Sequence, residues 1–425
     1  MPWSQWYTLR SYTRSSLWIV PFISLLLYVG IIRLAYSIGN WITWEPLVGG
    51  WSASGTRSIL ETIVTLTLTF IVFTFGSLLV AIQVAGGQLT PRIIATTLLR
   101  DNSIRFTVGL FTFTLLFAAG VLARLETNRD AGIEFVARIL GFGSIAAFLY
   151  LIDYAARLLR PVSIIWRVGE QGRVVIEQVY PDLRKDMDLA KRPPQKLPPP
   201  DRIIQHQGKA AIVLAVNVKA LMAEARKSNT IIELAPRVGD FLASGEAIFR
   251  LYGDTGRVDD RRIRRLVAFG PERTIEQDST FAFRIIVDIA IKALSKAIND
   301  PTTAVLAIDQ LQRLLGVVGK RHLQEDQILD SSGQLRVVFH TPNWEDFVQV
   351  TFSEIRLYGA ENFQIARRLR AMIENLAQTL PEHCRPALSA QLELLDRTVE
   401  RHYPLPEDLT LARIPDSQGL GGSSA

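Results

Sequence analysis

The most concentrated group of oxygen-bearing side chains in the sequence lies around a predicted helix–turn–helix corner. Its members follow one another at helical spacing and across an Asn-Asp-Pro step, and they are Asp288, Ser295, Asn299, Asp300 and Thr303. Carboxylate, amide and hydroxyl oxygens suit a hard cation, although no calcium-loop spacing is present. The group is therefore a candidate cytoplasmic pocket for a cation or small ligand. The alternative is a plain joint in which Asp300 caps a helix that has Pro301 at its first position.

A second group of polar side chains punctuates apolar stretches nearer the N-terminus. Thr62, Thr65 and Thr69 share one helical face because they are spaced i, i+3, i+7. Gln83 lies near the end of the same stretch, and Thr112 lies in the next one. An aligned row of hydroxyls fits a polar path across a membrane. The alternative is that each hydroxyl bonds the preceding helical turn or a neighbouring helix.

A candidate hinge follows the threonine-rich stretch. Gly86 and Gly87 can break or kink a helix, and Pro91 can start a new one. The segment Arg92–Arg100 then has the pattern of a short amphipathic helix on the cytoplasmic surface. The hinge could lie next to a pore mouth, or the segment could be a plain interfacial connector.

The row of threonines and the hinge require helices that cross a bilayer. Four stretches approach the roughly 20 apolar residues that a spanning helix needs. They run about 17–36, 58–85, 106–123 and 133–159. The fourth carries Glu134 and Arg138, and also Asp153 and Arg157, each pair four residues apart and able to meet on one helix face. Both pairs lie near the span ends, so we expect them to reach the membrane interface.

Composition and charge support this interpretation. The chain has 425 residues, of which 48% are hydrophobic and 21% charged, and its mean hydropathy is +0.18. Residues 1–167 contain 13 Arg, no Lys and 7 acidic residues, so they account for the whole net charge of +6. Arginines beside apolar spans are typical of cytoplasmic loops. A nucleic-acid-binding protein would instead have a basic soluble face, so we exclude nucleic acid as a partner.

The expected fold class is an α-helical integral membrane protein with four transmembrane helices and a cytoplasmic α+β part. The arginine positions place the N-terminus and everything after residue 160 in the cytoplasm. The expected domains are a transmembrane domain at 1–167, a strand and proline-rich linker at 168–202, a small β module at 203–256, a mostly helical domain at 257–403 and a disordered tail at 404–425.

Local signals define parts of the cytoplasmic region. Val238-Gly-Asp240, Gly245 and Ile248–Leu251 resemble the barrel-sandwich repeats of biotinyl, lipoyl and membrane-adaptor domains. The two nearby lysines, Lys219 and Lys227, fall in a predicted helix rather than at a hairpin tip. We therefore interpret this β module as a structural or adaptor unit without a carried cofactor.

The chemistry of an enzyme is not indicated by the sequence. The single cysteine, Cys384, excludes an intrachain disulfide and any multi-cysteine metal site. No phosphate-binding glycine loop, zinc-spaced histidine pair or Gly-x-Ser-x-Gly elbow occurs. We predict no catalytic residues, no metal and no cofactor.

Several longer strings resemble one bacterial family of predicted membrane proteins, catalogued as domain of unknown function 2254. The resemblance is carried by Phe269–Asp278, Val287–Ala290, Ala293–Ser295, Ala297–Ala304 and the stretch Gln83–Arg100. It covers nearly the whole chain. It implies four N-terminal spans and a bacterial membrane location, here the inner membrane, but it supplies no substrate and no mechanism.

Two functions follow as hypotheses. The first is an ion channel or transporter with a cytoplasmic regulatory module. Four spans rarely enclose a water path alone, so this hypothesis requires a homo-oligomer in the lipid bilayer. The second is a membrane-anchored scaffold or sensor that binds a protein partner or small ligand through its cytoplasmic domain.

Overall fold

The computed structural model of the chain describes most of the sequence. The described residues are 2–16, 19–39, 52–90, 92, 101–126, 131–158, 160–184, 195–323 and 326–421. They form two compact units. The first, called the membrane unit, comprises Thr13–Gly87 and Pro91–Ser163. The second, called the C-terminal unit, comprises Met1–Tyr12, Gln88–Thr90 and Ile164–Ala425.

The membrane unit is built from long apolar helices. After α1 (Trp3–Ser15), which begins in the other unit, come α2 (Ile19–Gly39), α3 (Ala53–Gln88), α4 (Asn102–Arg124) and α5 (Ala131–Leu158). Among the described residues, three helices are long and apolar enough to cross a membrane, namely α3 over Ala53–Gly87, α4 and α5. The first predicted span coincides with α2, but its apolar helical stretch is the shorter Ile19–Ile31. A fourth span is therefore not confirmed.

Apolar side chains fill the inside of this unit and also cover its outside. Phe111 and Phe117 of α4 are buried in two apolar clusters with residues of α3 and α5. Val72, Leu79 and Phe142 are each at least 65% exposed. A helix that is hydrophobic all round fits a lipid environment, because neither of its faces requires water.

The described strands of the C-terminal unit form two sheets. They are β1 (Arg202–Gln205), β2 (Ala211–Val216), β3 (Thr230–Leu234), β4 (Phe241–Leu242), β5 (Ala247–Gly253), β6 (Val267–Gly270), β7 (Gln327–Leu329) and β8 (Leu335–Phe339). The larger sheet has the order β1-β5-β3-β8-β7 and the smaller β4-β2-β6. All neighbours are antiparallel except β3 and β8, which pair in parallel with Ile232 opposite Val337.

The β part is larger than the predicted module at 203–256. Strands β6, β7 and β8 come from residues beyond it, and β6 and β8 pair with β2 and β3, which lie far from them in sequence. Gly239 and Gly245 both lie in turns, and both adopt positive φ, +93° and +91°, which glycine tolerates best. The resemblance to barrel-sandwich repeats itself is not confirmed.

The helices of the C-terminal unit follow one another from residue 161 to residue 412. They are α6 (Pro161–Val179), α7 (Val218–Ser228), α8 (Asp260–Arg264), α9 (Ser279–Ala293), α10 (Pro301–Val318), α11 (Trp344–Gly359), α12 (Phe363–Thr379), α13 (Arg385–His402) and α14 (Pro406–Ala412). Most of their starts have an Asn or Asp cap. For example, the Asp278 side chain accepts the Phe281 N–H, and the Asn362 side chain accepts the Ile365 N–H.

The prediction of a strand near residues 168–180 is wrong, because this segment belongs to α6. The run of Val174, Val175 and Ile176 favours a strand locally, since β-branched residues suit extended backbone. The buried residues of α6 nevertheless recur at helical spacing. A Cβ on Gly172 would lie 2.6 Å from the Ala282 Cβ, so α6 packs closely on α9. Tertiary packing therefore overrode the local preference.

The expected disorder from residue 404 also differs from the structure. The chain continues into α14 and then lies against α12, where Arg367 is fully buried. The Arg367 guanidinium donates to the carbonyls of Ile414 at 3.0 Å and Gly421 at 2.9 Å. Residues 404–421 are thus held by a buried side chain on another helix, and residues 422–425 lie outside the described part.

Candidate functional site

The three threonines predicted to share one face of α3 are all exposed on the membrane unit. We call Thr62, Thr65 and Thr69 the Thr face. Each hydroxyl donates to the carbonyl four residues earlier, at distances of 2.8, 2.9 and 2.8 Å respectively. The hydroxyl protons are thus directed at the helix itself. What the Thr face presents outward is hydroxyl oxygen with free acceptor capacity.

The other two candidates for the polar path lie elsewhere. Gln83 is exposed near the C-terminal end of α3. Thr112 on α4 is half-buried, and its hydroxyl donates to the Val108 carbonyl at 2.9 Å. Like the hydroxyls of the Thr face, the Thr112 hydroxyl donates to a carbonyl of its own helix. This is the alternative that the sequence analysis left open, and it holds for all four threonines of the candidate set.

One buried polar contact between helices was missed by sequence reasoning. The Ser144 hydroxyl on α5 donates to the Thr114 hydroxyl on α4 at 3.0 Å, and both residues are fully buried. Ser144 lies within a run of small residues that permits close helix approach. This run of small residues is the feature of the sequence from which the contact could be predicted, because a hydroxyl inside it can meet a neighbouring helix directly.

The candidate hinge lies at the end of α3. The helix continues through Gly86 and Gly87 and ends at Gln88, so neither glycine interrupts it. The boundary between the two compact units falls directly after Gly87. A Cβ on Gly87 would meet no atom within 4 Å. Pro91 and the residues 93–100 of the predicted amphipathic helix lie outside the described residues.

The candidate cytoplasmic pocket is occupied by its own capping contacts. The Asp300 carboxylate accepts the Thr303 N–H at 3.0 Å and also the Thr303 hydroxyl. Ser295 donates to the Lys292 carbonyl at 2.7 Å, and Asn299 adopts a left-handed φ of +48°. These contacts form a tight joint between α9 and α10. The geometry agrees with the plain helix–turn–helix alternative.

Asp288 takes part in a different network. Its carboxylate accepts from the Arg284 Nε at 2.7 Å, and the Arg284 Nη2 donates to Glu354 on α11 at 2.9 Å. The hydrogen bonds to Glu354 and Asp288 raise the pKa of Arg284 above its ordinary value despite partial burial. Asp288 thus helps to join α9 to α11. Among the described residues, no group of three His, Cys, Asp or Glu side chains could hold a metal ion.

A cavity of about 250 Å³ lies between α3 and α5, inside the membrane unit. Its lining consists of Ser58, Ile59, Thr62, Ile63, Leu66, Arg138, Gly141, Phe142 and Ile145. Thr62 therefore belongs both to the Thr face and to this cavity. No local pattern in the sequence predicts this cavity, although the charged residues within the apolar fourth span indicate that something polar lies there.

Those charged residues divide into two pairs with different surroundings. Asp153 and Arg157 form an exposed ion pair, as expected for side chains near an interface. Glu134 and Arg138 are instead only 4% and 7% exposed. The expectation that both pairs reach outward is therefore met by one pair. Glu134 and Arg138 bring charge into the helix bundle, where ionisable residues are costly and commonly functional.

Comparisons with known proteins give family membership and no activity. No solved structure matches the chain. An uncharacterized protein of Mycobacterium bovis and one of Mycobacterium tuberculosis are each 25% identical to it over 411 residues, which is 92% of this chain and 78% of theirs. A family model described as "Predicted membrane protein (DUF2254)" matches residues 14–375. The chain belongs to this family of membrane proteins of unknown function.

Proposed function

We propose that the chain is the subunit of an oligomeric ion channel or transporter in the bacterial inner membrane. In this proposal α2 is a fourth span, both termini lie in the cytoplasm, and the C-terminal unit regulates conduction. The observation that carries the proposal is the exposed Thr face on α3, a row of hydroxyls on a helix that also exposes large apolar side chains such as Leu68, Val72 and Phe73.

The need for several subunits follows from the packing of one. Apolar side chains such as Phe70, Phe111 and Leu151 fill the interior of the membrane unit, leaving that cluster as a poor route for ions. The Thr face points away from this interior. A second copy of the chain could place its own Thr face opposite, so that the hydroxyl oxygens of several copies surround one axis.

The orientation of the hydroxyls favours cations. Because each proton of the Thr face bonds a helix carbonyl, the outward-facing groups are lone pairs. Oxygen lone pairs replace water around hard cations such as those carried by selectivity filters. We therefore propose a cation as the permeant species.

A second candidate function is a membrane-anchored scaffold or sensor. It is favoured by Leu357 and Tyr358, neighbours at the end of α11 that are 62% and 56% exposed. Adjacent exposed apolar residues on a folded surface are typical of contact sites for a protein partner. This function needs no oligomer and no flux.

Cation flux into proteoliposomes distinguishes the two candidates. The informative variant is Thr69→Val, which removes one exposed hydroxyl without a change of shape. The matched control is Thr67→Val on the same helix, because Thr67 is buried and its hydroxyl bonds the Ile63 carbonyl at 2.7 Å. We expect flux above empty liposomes, reduced several-fold by Thr69→Val and unchanged by Thr67→Val.

The oligomeric state should be measured on the same preparations. A folded oligomer without flux for any alkali or alkaline-earth cation would contradict the channel and favour the scaffold. A monomer would do the same. Equal effects of the two substitutions would show that the Thr face does not line the path.

A further inference from the structure

We propose that the cavity between α3 and α5 binds part of one acyl chain of an anionic phospholipid, whose headgroup phosphate pairs with Arg138. This inference goes beyond the proposed function and does not depend on conduction. It rests on three properties of the cavity: its position in the membrane unit, the distribution of polar and apolar lining residues along it, and the burial of Arg138.

The position gives lipid direct access. The lining residues come from 58–66 of α3 and 138–145 of α5, both within helices apolar enough to cross a bilayer. Eight residues of helix rise correspond to about 12 Å along the helix axis. The cavity therefore follows the direction in which a lipid tail lies.

The lining changes character along this direction. Ser58, Thr62 and Arg138 lie toward the N-terminal ends of the two helices, whereas Leu66, Phe142 and Ile145 lie deeper. Ile63 packs against Gly141, where a Cβ would come within 2.6 Å of the Ile63 Cδ1. The two helices run in the same direction, because residues nearer the start of each share one apolar cluster and residues nearer the end of each share another. A polar end and an apolar end match the headgroup and tail of an amphiphile.

The polar end lies close to the boundary of the membrane. Arg57 on α3 forms ion pairs with Glu61 and Glu126, and all three side chains are more than half exposed. These exposed charges mark the interface because charged side chains avoid the hydrocarbon core. A headgroup bound near Ser58 would therefore sit at the depth where phosphates lie.

The guanidinium of Arg138 at this end matches a headgroup phosphate. Arg138 lines the cavity and is 7% exposed. Its guanidinium has five N–H donors in a planar fork that matches a phosphate. Glu134 lies one helical turn nearer the start of α5. We assign the phosphate to Arg138, with Ser58 beside it.

The size of the cavity limits what enters it. A volume of about 250 Å³ is just below the roughly 300–1,000 Å³ of sites that enclose a drug-sized molecule. It can hold part of one chain but not a whole phospholipid. The remainder of the lipid stays in the bilayer, as expected for an annular lipid held at one point.

The test is native mass spectrometry of the full-length protein titrated with phosphatidylglycerol or phosphatidylcholine of identical acyl chains. We expect tighter binding of phosphatidylglycerol. Arg138→Gln should weaken this binding roughly tenfold, as for the loss of a charge-assisted hydrogen bond, and should abolish the preference. The matched control is Arg157→Gln on the same helix, because Arg157 is exposed and paired with Asp153.

A second variant tests the apolar end of the cavity and stays informative even if Arg138→Gln does not fold. Ile145→Phe should fill the tail site and weaken binding of both lipids, with Arg138 intact. Unchanged lipid binding by Ile145→Phe would overturn the proposal, as would a persistent preference for phosphatidylglycerol in Arg138→Gln. Displacement of the lipid by inorganic phosphate alone would show a free-anion site and would overturn it too.

Discussion

The Thr face of the membrane unit and the arginines that join helices in the C-terminal unit satisfy their polar groups in different ways. In the membrane unit, the hydroxyls of the Thr face bond carbonyls of their own helix, one turn away. In the C-terminal unit, arginines reach other elements: Arg284 joins α9 to α11, and Arg368 on α12 donates to Asp309 on α10 at 2.8 Å. A helix whose hydroxyls bond its own carbonyls can face lipid or another subunit. Side chains that pair with other helices instead hold those helices in one tertiary arrangement.

How much each arginine contact contributes to stability depends on how deeply the arginine is buried. Arg367 is fully buried, so losing its partners would leave a charge without water. Arg397 pairs with Glu393 one turn away, but both side chains are more than 60% exposed. Exposed pairs of this kind contribute about 0–1 kcal/mol. The comparison therefore predicts large effects at contacts between elements and small effects at contacts within one helix.

The largest expected effect is at Arg367. Arg367→Ala removes the donor to Ile414 and Gly421 and leaves Asp416 buried without its cation. We expect the free energy of unfolding to fall by about 3–5 kcal/mol and the segment after α14 to become sensitive to protease. Thermal unfolding in detergent and limited proteolysis measure the two effects.

The control for this prediction is Arg397→Ala, which should change stability by less than about 1 kcal/mol. A similar loss for both variants would mean that burial does not separate the two classes of contact. Protection of the C-terminal segment in Arg367→Ala would mean that other contacts hold it.

An intermediate effect is expected at the corner between α9 and α10. Asp300→Ala should cost about 1 kcal/mol because the N-cap of α10 is lost, whereas Asp300→Asn should cost little, since Asn caps as well as Asp. Thermal unfolding with and without millimolar Ca²⁺ or Mg²⁺ separates capping from ligand binding. A cation-induced stabilisation that Asp300→Asn removes would revive the pocket hypothesis for Asp288, Ser295, Asn299, Asp300 and Thr303.

The smallest effect is a pH dependence at Asp416. Burial alone would raise the pKa of this carboxyl, but the N–H groups of Gly421, Gly419 and Gln418, together with Arg367, hold the pKa below its ordinary value of 3.8. A lowered pKa means that the contribution to stability is present above pH 3.8 and is lost as the pH falls through the folded-state value.

Hydrogen exchange of residues 413–421 between pH 5 and pH 3 measures this dependence, after correction for the intrinsic exchange rate. We expect protection to decline toward pH 3 in the wild type. Asp416→Asn should show weaker protection that does not vary with pH in this range. An equal decline in both proteins would assign the dependence to another group.

Local signals in the sequence predicted much of the secondary structure. Asp278 and Asp300 begin α9 and α10 by side-chain capping, and Pro301 occupies the first position of α10. The apolar stretches that predicted the last three spans correspond to α3, α4 and α5. These signals are local because a cap, a proline or an apolar run acts within a few residues of its own position.

The errors share a different cause. The run Val174–Ile176 favours a strand, yet contact with α9 made it helical. The polar sequence after residue 404 favours disorder, yet a single arginine 47 residues away binds the carbonyl of Ile414. Burial of Arg367 and the pairing of β8 with β3 depend on partners that no local window contains.

The sequence by itself determined that this chain belongs to a membrane, because apolar composition and arginine placement follow from the solvent that each segment meets. It also determined which threonines share a face of α3, because helical spacing is fixed by backbone geometry. Only the tertiary structure decided that the Thr face is exposed, that the candidate corner satisfies its own carboxylate and that Arg138 borders a cavity. Those features depend on which helices pack together, and packing is set by contacts far apart in the chain.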